Sequence, residues 1–323
     1  MKAVRIERTG PPSVMQFVDV EVGRPKDGEI RVRHTAIGLN FIDTYHRSGL
    51  YPVPMPSGIG FEAAGVVEEL GPGVKGFKVG DRIAYGTGPI GAYAEARNLP
   101  ANRVIKIPKS ISDETAAGMM LKGMTARYLL RAVYKVKRGE TILLHAAAGG
   151  VGQILSQWAK ALGVKVIGTV GSAEKIKAAK DHGCAHVINS AGEDVVARVK
   201  EITGGRGVPV VYDGVGQATL MTSLDCLQPR GLLASFGNAS GPVKAFDLGL
   251  LAAKGSLYVT RPTLGTFTAS DADLKETAGD VVDIVKSGKV RIPVNQRYAL
   301  ADAVKAHEDL EARRTTGATV LMP

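Results

Sequence analysis

Between Thr141 and Gly152 the chain reads Thr-Ile-Leu-Leu-His-Ala-Ala-Ala-Gly-Gly-Val-Gly, an apolar strand entering a turn of small residues and then a helix. Ala147, Gly149 and Gly152 keep the spacing of a dinucleotide fingerprint, with alanine at the first glycine position. Small side chains let the backbone approach a pyrophosphate, and the helix N-terminus offers free N–H donors and partial positive charge. A glycine triplet alone says little, and its place between strand and helix gives it weight. The competing reading is a tight turn with no ligand. NAD sites put an Asp or Glu at the end of the next strand, roughly twenty residues on, to hold the ribose 2′-hydroxyl. Here the strand Lys165–Val170 runs instead into Gly171-Ser172-Ala173-Glu174-Lys175. Ser172 is placed to cap the next helix, and Lys175 falls in its first turn, against the helix dipole. A phosphate between hydroxyl, helix end and ammonium accounts for that lysine, so the segment predicts NADPH. A solvated surface lysine is the alternative, and Glu174 simply complements the dipole.

These residues need a doubly wound α/β framework. From Glu140 onward strands and helices alternate: strands Thr141–Ala146, Lys165–Val170, His186–Asn189, Val208–Tyr212, Leu232–Phe236 and Ser256–Thr260, with helices Val151–Leu162, Ser172–His182, Asp194–Ile202 and Ala218–Leu227 between them. That alternation means βαβ units and a parallel sheet. Residues 1–110 read differently, as short strands cut by glycine and proline: Lys2–Glu7, Glu29–Ala36, Ala64–Glu69, Arg82–Tyr85 and Arg103–Ile107. Pro52, Pro54 and Pro56 demand an extended loop. Ser112 is a plausible N-cap, and a longer helix is expected over Gly123–Val136. Two helical patterns, Asp271–Ser287 and Ala301–Arg313, and a last strand, Ala318–Leu321, should return to complete the first domain. The expected division is 1–124 with 263–323, and 125–262.

Composition sets the outer limits. The 323 residues are too many for one ordinary core. With 45% hydrophobic and 22% charged residues the chain is neither disordered nor membrane-spanning. Forty glycines, scattered without a period, point to many tight turns. The net charge of +10 contains no dense basic run, and aromatics are only 5%, so nucleic acid is a poor fit and a small polyanionic ligand a better one. Met1–Arg8 lacks the apolar core of a signal peptide, and two cysteines cannot form a disulfide framework. A reducing cytoplasm is expected.

Gly139-Glu140, Leu143, Ala147-Ala148-Gly149-Gly150-Val151-Gly152, Gln157 and Lys160 resemble the quinone oxidoreductase/zeta-crystallin signature of the medium-chain dehydrogenase/reductases. The runs Gly38–Tyr45, Ser48–Pro52, Phe236–Asn238 and Gly255–Pro262 are similar to the bacterial NADPH:quinone reductases. The resemblance covers essentially the whole chain. It implies a β-rich GroES-like catalytic domain beside a Rossmann domain, a homodimer, and reduction of a quinone by NADPH to quinol or semiquinone. Zinc-containing relatives carry Cys at the position of Asn40, His at that of Phe61, and four structural cysteines within 86–102. This chain has none of them, so no metal is expected, although Glu62 is kept.

The resemblance places cofactor contacts on Phe41, Ile42, Asp43, Thr44 and Tyr45 of the first domain. In the second they fall on Gly149, Gly150, Val151, Gly171, Ser172, Lys175 and Val215, and continue at Phe236, Gly237, Asn238, Thr260 and Arg261. Arg313 follows near the C-terminus. Ser190 stands where close relatives have a tyrosine beside the adenosine. Asn40, Tyr45 and Tyr51 are the catalytic candidates near the expected nicotinamide, and the Tyr45 hydroxyl could polarise a substrate carbonyl. Packing of the Tyr45 ring beside the cofactor is equally consistent. Asp43 reads as a structural acceptor for loop amides, and His145 as a core histidine. The rival reaction is reduction of an activated C=C bond in an enone. A non-catalytic NADPH- or RNA-binding role is a more remote alternative.

Overall fold

Glycine and proline cut the first hundred residues into short extended pieces, and sheet pairing gathers them. The computed structural model describes all residues 1–323. Strands β1 (Lys2–Ile6), β2 (Gln16–Asp19) and β4 (Ser57–Gly58) form a small antiparallel sheet. The main sheet is centred on β3 (Glu29–Leu39), which runs three residues beyond its expected end. It pairs antiparallel with β5 (Glu62–Leu70), the register running from Ile30↔Leu70 to Gly38↔Glu62. β6 (Arg82–Tyr85), β7 (Ala96–Pro100) and β8 (Ile105–Lys106) extend this sheet. Alternate residues of β3 and its neighbours, among them Ile30, Val32, Ile83 and Leu99, close the core.

Two expectations need correction here, and one helix was not foreseen. Arg103 opens no strand: Ala101–Arg103 is a 3₁₀ turn, held where the Arg103 guanidinium reaches the Thr268 carbonyl (3.1 Å) and the Asp271 carboxylate. A short helix, α1 (Phe41–Ser48), follows β3 directly. The helix expected at Gly123–Val136 instead begins ten residues earlier as α2 (Asp113–Tyr128), capped where the Thr115 N–H donates to Ser112 Oγ (3.2 Å), and ends in one wide turn, Leu129–Val133. Gly118 and Gly123 are contact points rather than helix breakers. A Cβ on Gly123 would lie 2.7 Å from a Val281 methyl, and one on Gly118 2.9 Å from Ala318 Cβ.

The second unit is a six-stranded sheet, every strand parallel to its neighbours. Its strands are β9 (Thr141–Leu144), β10 (Lys165–Val170), β11 (His186–Asn189), β12 (Val208–Asp213), β13 (Leu227–Ser235) and β14 (Tyr258–Thr260), in the spatial order β11-β10-β9-β12-β13-β14. That is the doubly wound order, with its topological switch between β9 and β12. Helices α3 (Gly150–Ala161), α4 (Glu174–Asp181), α5 (Val195–Ile202), α6 (Leu220–Asp225), α7 (Gly249–Ala253) and α8 (Leu264–Phe267) complete it. β13 starts five residues before its expected origin, passing an irregularity at Arg230, whose φ is 60°. β14 starts later than expected because Ser256, at φ 55°, turns the chain.

The chain then returns. α9 (Asp271–Lys286), β15 (Val294–Ala299), α10 (Ala303–Glu311) and β16 (Ala318–Met322) join the first unit, where β16 pairs with β3 (Thr319↔Leu39, Leu321↔Ile37). The first unit comprises Met1–Met124, Thr268–Lys286 and Ile292–Pro323, and the second Thr125–Phe267 with Ser287–Arg291. No helix is long and apolar enough to cross a membrane.

Candidate active site

Because all six strands of the second unit run the same way, their C-terminal ends share one edge of the sheet. The cofactor residues expected in this unit follow those ends: Gly149, Gly150 and Val151 after β9, Gly171, Ser172 and Lys175 after β10, Ser190 after β11. Val215 follows β12, Phe236, Gly237 and Asn238 follow β13, Thr260 ends β14 and Arg261 follows it. Arg313 lies apart from them in sequence, just past α10 in the first unit, exposed and at φ 60°.

The turn after β9 is built by leaving side chains out. Ala146 takes φ 55°, a costly left-handed conformation for a residue with a Cβ. Gly149 is the N-cap of α3, with no side-chain cap and no acidic residue in the first turn, so the first N–H groups keep their donor capacity for an anion. At Gly152 a Cβ would sit 2.4 Å from the Ala146 carbonyl oxygen and 2.7 Å from that of Ala147. His145 is buried as expected, with Nδ1 3.0 Å from Thr169 Oγ1, and burial lowers its pKa.

At the end of β10 one expectation fails. Ser172 does not cap α4: Ala173 is the N-cap, with no side-chain cap bond, and the Ser172 hydroxyl lies toward Glu174. The Ser172 hydroxyl, more than the neighbouring Lys175, holds the Glu174 carboxyl below its usual range. Lys175 is half-buried in the first turn of α4. Gly171 has open space where a Cβ would point. Ser190 Oγ donates to the Val170 carbonyl (3.1 Å), tying the ends of β11 and β10 together.

Asp213, at the end of β12, escaped the sequence reading. Its Oδ1 accepts from the Val215 (2.7 Å) and Gly216 (3.1 Å) N–H groups, and its Oδ2 from the Thr219 and Ser223 hydroxyls (2.7 Å each). Four donors on one buried carboxylate fix the turn that carries Val215. Gly237 packs so closely on this turn that a Cβ would meet the Gly214 carbonyl at 2.3 Å. Arg261 Nη1 donates to the Ser235 carbonyl (2.7 Å).

In the first unit the β3–β5 register brings Asn40 and Glu62 together. Asn40 follows β3 and precedes α1, and its Nδ2 donates to Glu62 Oε2 (2.8 Å). Lys122 Nζ donates to the same oxygen (3.1 Å), and the Leu121 N–H donates to Oε1 (2.8 Å). Gly38 must be glycine, since a Cβ there would strike Glu62 Oε2 (2.5 Å) and the Ala117 carbonyl (2.2 Å). Asn40 Oδ1 is buried without a partner.

Asp43, in the first turn of α1, is fully buried and accepts from the Asn40 N–H (2.8 Å) and the Tyr93 hydroxyl (3.0 Å) through Oδ2. Burial raises its pKa to about 7 against the pull of those two donors and of Lys122. The network continues outward. Arg47 Nη1 donates to His307 Nδ1 (3.0 Å), which leaves His307 Nε2 as the donor toward the Tyr93 oxygen (3.1 Å), and Arg47 pairs with Glu311 (2.7 Å). Burial, with Arg47 second, lowers the His307 pKa to about 3. Beside this network lie aromatic rings: Tyr45 meets Phe41 at 6.0 Å and Tyr51 edge-on at 5.2 Å, while His46 meets Phe61 at 5.0 Å. Thr44 Oγ1 donates to the Phe41 carbonyl (2.7 Å), and Ile42 is half-buried. Lys122, Tyr93, His307 and Arg47 were missed. Only Lys122 left a signal, as the one charge in the otherwise apolar run Ala116–Met124.

No three His, Cys, Asp or Glu side chains come together in a group able to hold a metal ion. Glu62, the one residue kept from the zinc-site pattern, has both oxygens occupied by donors, which does not fit a metal ligand.

A doubly wound sheet with an uncapped glycine turn, joined to a β-rich unit with a buried polar cluster, defines a dinucleotide-dependent oxidoreductase of the medium-chain dehydrogenase/reductase class. Residues 26–109 match the alcohol dehydrogenase GroES-like domain, and residues 150–283 match the zinc-binding dehydrogenase family. A quinone oxidoreductase from Pseudomonas aeruginosa is 54% identical over 100% of this chain and 99% of its own. The structure of the Escherichia coli quinone oxidoreductase complexed with NADPH superposes with a TM-score of 0.98 at 50% identity, covering 100% of both chains. A 2-haloacrylate reductase from a Burkholderia species is 46% identical over 99% of this chain and 98% of its own. The chain belongs to the quinone oxidoreductase family of the medium-chain dehydrogenase/reductases, whose members depend on NAD(P).

Proposed function

We propose that the protein reduces quinones with NADPH and without a metal. The observation that carries the reading is the sheet edge: the uncapped turn at Gly149–Gly152 and the carboxylate-free end of β10, with Lys175 in the next helical turn, suit a pyrophosphate and a 2′-phosphate. Lys175 supplies the cationic contact to that phosphate. NADPH bound there supplies the reducing hydride equivalent. Phe41, Ile42, Thr44 and Tyr45 on α1 orient it, and Asp43 acts through Asn40 rather than as a base. Asn40, Tyr45 and Tyr51 orient the substrate, and the Tyr45 hydroxyl donates to its carbonyl as charge develops. Phe236–Asn238, Thr260, Arg261 and Arg313 complete the cofactor contacts.

The relative named 2-haloacrylate reductase favours a second reading, reduction of a C=C bond activated by a carbonyl. Both reactions build negative charge on an oxygen and ask the same of the protein. Turnover of NADPH with 1,4-benzoquinone, a naphthoquinone and a small enone separates them. Quinones should be reduced fastest, and metal chelators should leave the rate unchanged. Activity with the enone alone would reverse the assignment.

A homodimer and a cytoplasmic location complete the proposal. β14 is the edge strand of its sheet, with Tyr258 61% and Val259 39% exposed, and pairing with a second copy about a two-fold axis would cover that edge. Light scattering should give twice the chain mass of 33.9 kDa, and a monomer at micromolar concentration ends this part of the proposal. The two cysteines, both free and buried, suit a reducing compartment.

A further inference from the structure

Lys122 is a charged side chain in an apolar stretch of α2, only 8% exposed, and its single protein partner is Glu62. An ammonium has three donors, so two remain. On the other side of the same Glu62 oxygen, Asn40 spends its Nδ2 and keeps a buried, unpartnered Oδ1. A cation with spare donors and an amide oxygen lacking a donor thus hang on one carboxylate oxygen. Orphaned buried polar groups are costly unless something else completes them. The flanking residues say what: Phe41 follows Asn40 and Phe61 precedes Glu62, both half-buried rings suited to a flat, apolar molecule with a polar edge.

We infer that Lys122 is a further catalytic residue, donating a hydrogen bond and then a proton to the substrate oxygen on which negative charge develops. The inference deepens the reduction of a quinone or enone proposed above and rests on it. Hydride addition brings two electrons and one hydrogen to the substrate and leaves one oxygen negative. A Lys122 N–H bond breaks, its electron pair stays on Nζ, and the proton forms the O–H bond of the product. Solvent returns a proton to Nζ between turnovers. Glu62 holds the ammonium in place, and Asn40 Oδ1 accepts from the new hydroxyl.

The competing account is a counter-ion: Lys122 merely neutralises Glu62. The two accounts part in the double variant Lys122→Met/Glu62→Gln, which removes both charges and leaves no buried carboxylate unpaired. A buried ion pair replaced as a unit is often neutral for stability, so this variant should fold where Lys122→Met alone fails. NADPH affinity, read by nicotinamide fluorescence, should stay within about twofold, while kcat with 1,4-benzoquinone falls about 100-fold, the usual reach of a lost general acid or oxyanion donor. Lys122→Arg keeps the charge and the hydrogen-bond donors but cannot release a proton, so it should recover only a small part of that loss. The solvent isotope effect on kcat should rise in Lys122→Arg as proton delivery becomes slower. A folded double variant with kcat within about threefold of wild type would overturn the role of Lys122 alone. A wild type that turns over neither quinone nor enone would overturn the reaction and this role together.

Discussion

Two regions of the molecule are built by opposite means. The sheet edge of the second unit, residues 146–152 and the ends of β10 and β12, works by exclusion: Gly152 and Gly237 sit where any side chain would collide with a carbonyl oxygen, and the turn before α3 offers backbone N–H groups. The polar cluster of the first unit works by accumulation. Asn40, Glu62, Lys122, Asp43, Tyr93, His307 and Arg47 form one buried network in which nearly every contact is made by a side chain. An excluded volume tolerates no added atom, whereas a buried side-chain network tolerates the loss of a charged pair as a unit better than the loss of one partner. The first region should therefore fail wherever an atom is added, and the second wherever one partner of a buried charged pair is removed alone.

The most severe test of that contrast is Gly152→Ala. Its new Cβ would lie 2.4 Å from the Ala146 oxygen, and backbone atoms cannot give way as a flexible side chain does. Overpacking of this kind costs about 3 kcal/mol at the upper end of its usual range. Affinity for NADPH and NADH should fall together, on the order of 100-fold. Loss for one cofactor only would mean that Gly152 does not shape the shared pyrophosphate site.

Lys175→Ala sharpens the same region. Lys175 is half-buried, so a charge-assisted contact to a 2′-phosphate belongs at the low end of its range, about 1.5 kcal/mol. NADPH should bind about tenfold more weakly, with NADH unchanged. Equal losses would show that Lys175 does not read the phosphate.

The contrast also explains what the sequence could disclose. The glycine turn is contiguous, and contiguity is what a fingerprint records, so β9, its turn and α3 could be placed within a residue or two from Thr141–Gly152 alone. The strands Lys165–Val170, His186–Asn189 and Arg82–Tyr85 agree with the structure to the residue, being short apolar runs bounded by turn residues. The substrate network is assembled from residues up to 264 positions apart, such as Arg47 and Glu311. Only the long β3–β5 register and the return of β16 onto β3 make them neighbours, and no local pattern encodes that. Asn40 was picked out through its resemblance to a known pattern, while His307 and Tyr93 carry no such mark. α2 was placed too late for a related reason: nothing local shows that Val281, 158 residues on, fills the space beside Gly123.

The smallest effect expected is one that wild type conceals. Asp43 and His307 contact the same Tyr93 hydroxyl, and burial shifts both toward the neutral form. For Asp43, raised from 3.8 to about 7, the stabilising contribution is complete below the unfolded value and is lost as pH rises through the folded one. His307 is lowered from 6.5 to about 3, so its contribution is complete above the unfolded value and is lost as pH falls through the folded one. Between about pH 4 and 6.5 the slopes oppose each other, each near 1.4 kcal/mol per pH unit, and nearly cancel. Asp43→Asn should expose the histidine, and urea midpoints should then climb with pH across the window relative to wild type. His307→Gln should expose the carboxyl and make them decline. If neither variant changes the slope relative to wild type, then water reaches this network freely, and it is not the dry enclosure its hydrogen bonds imply.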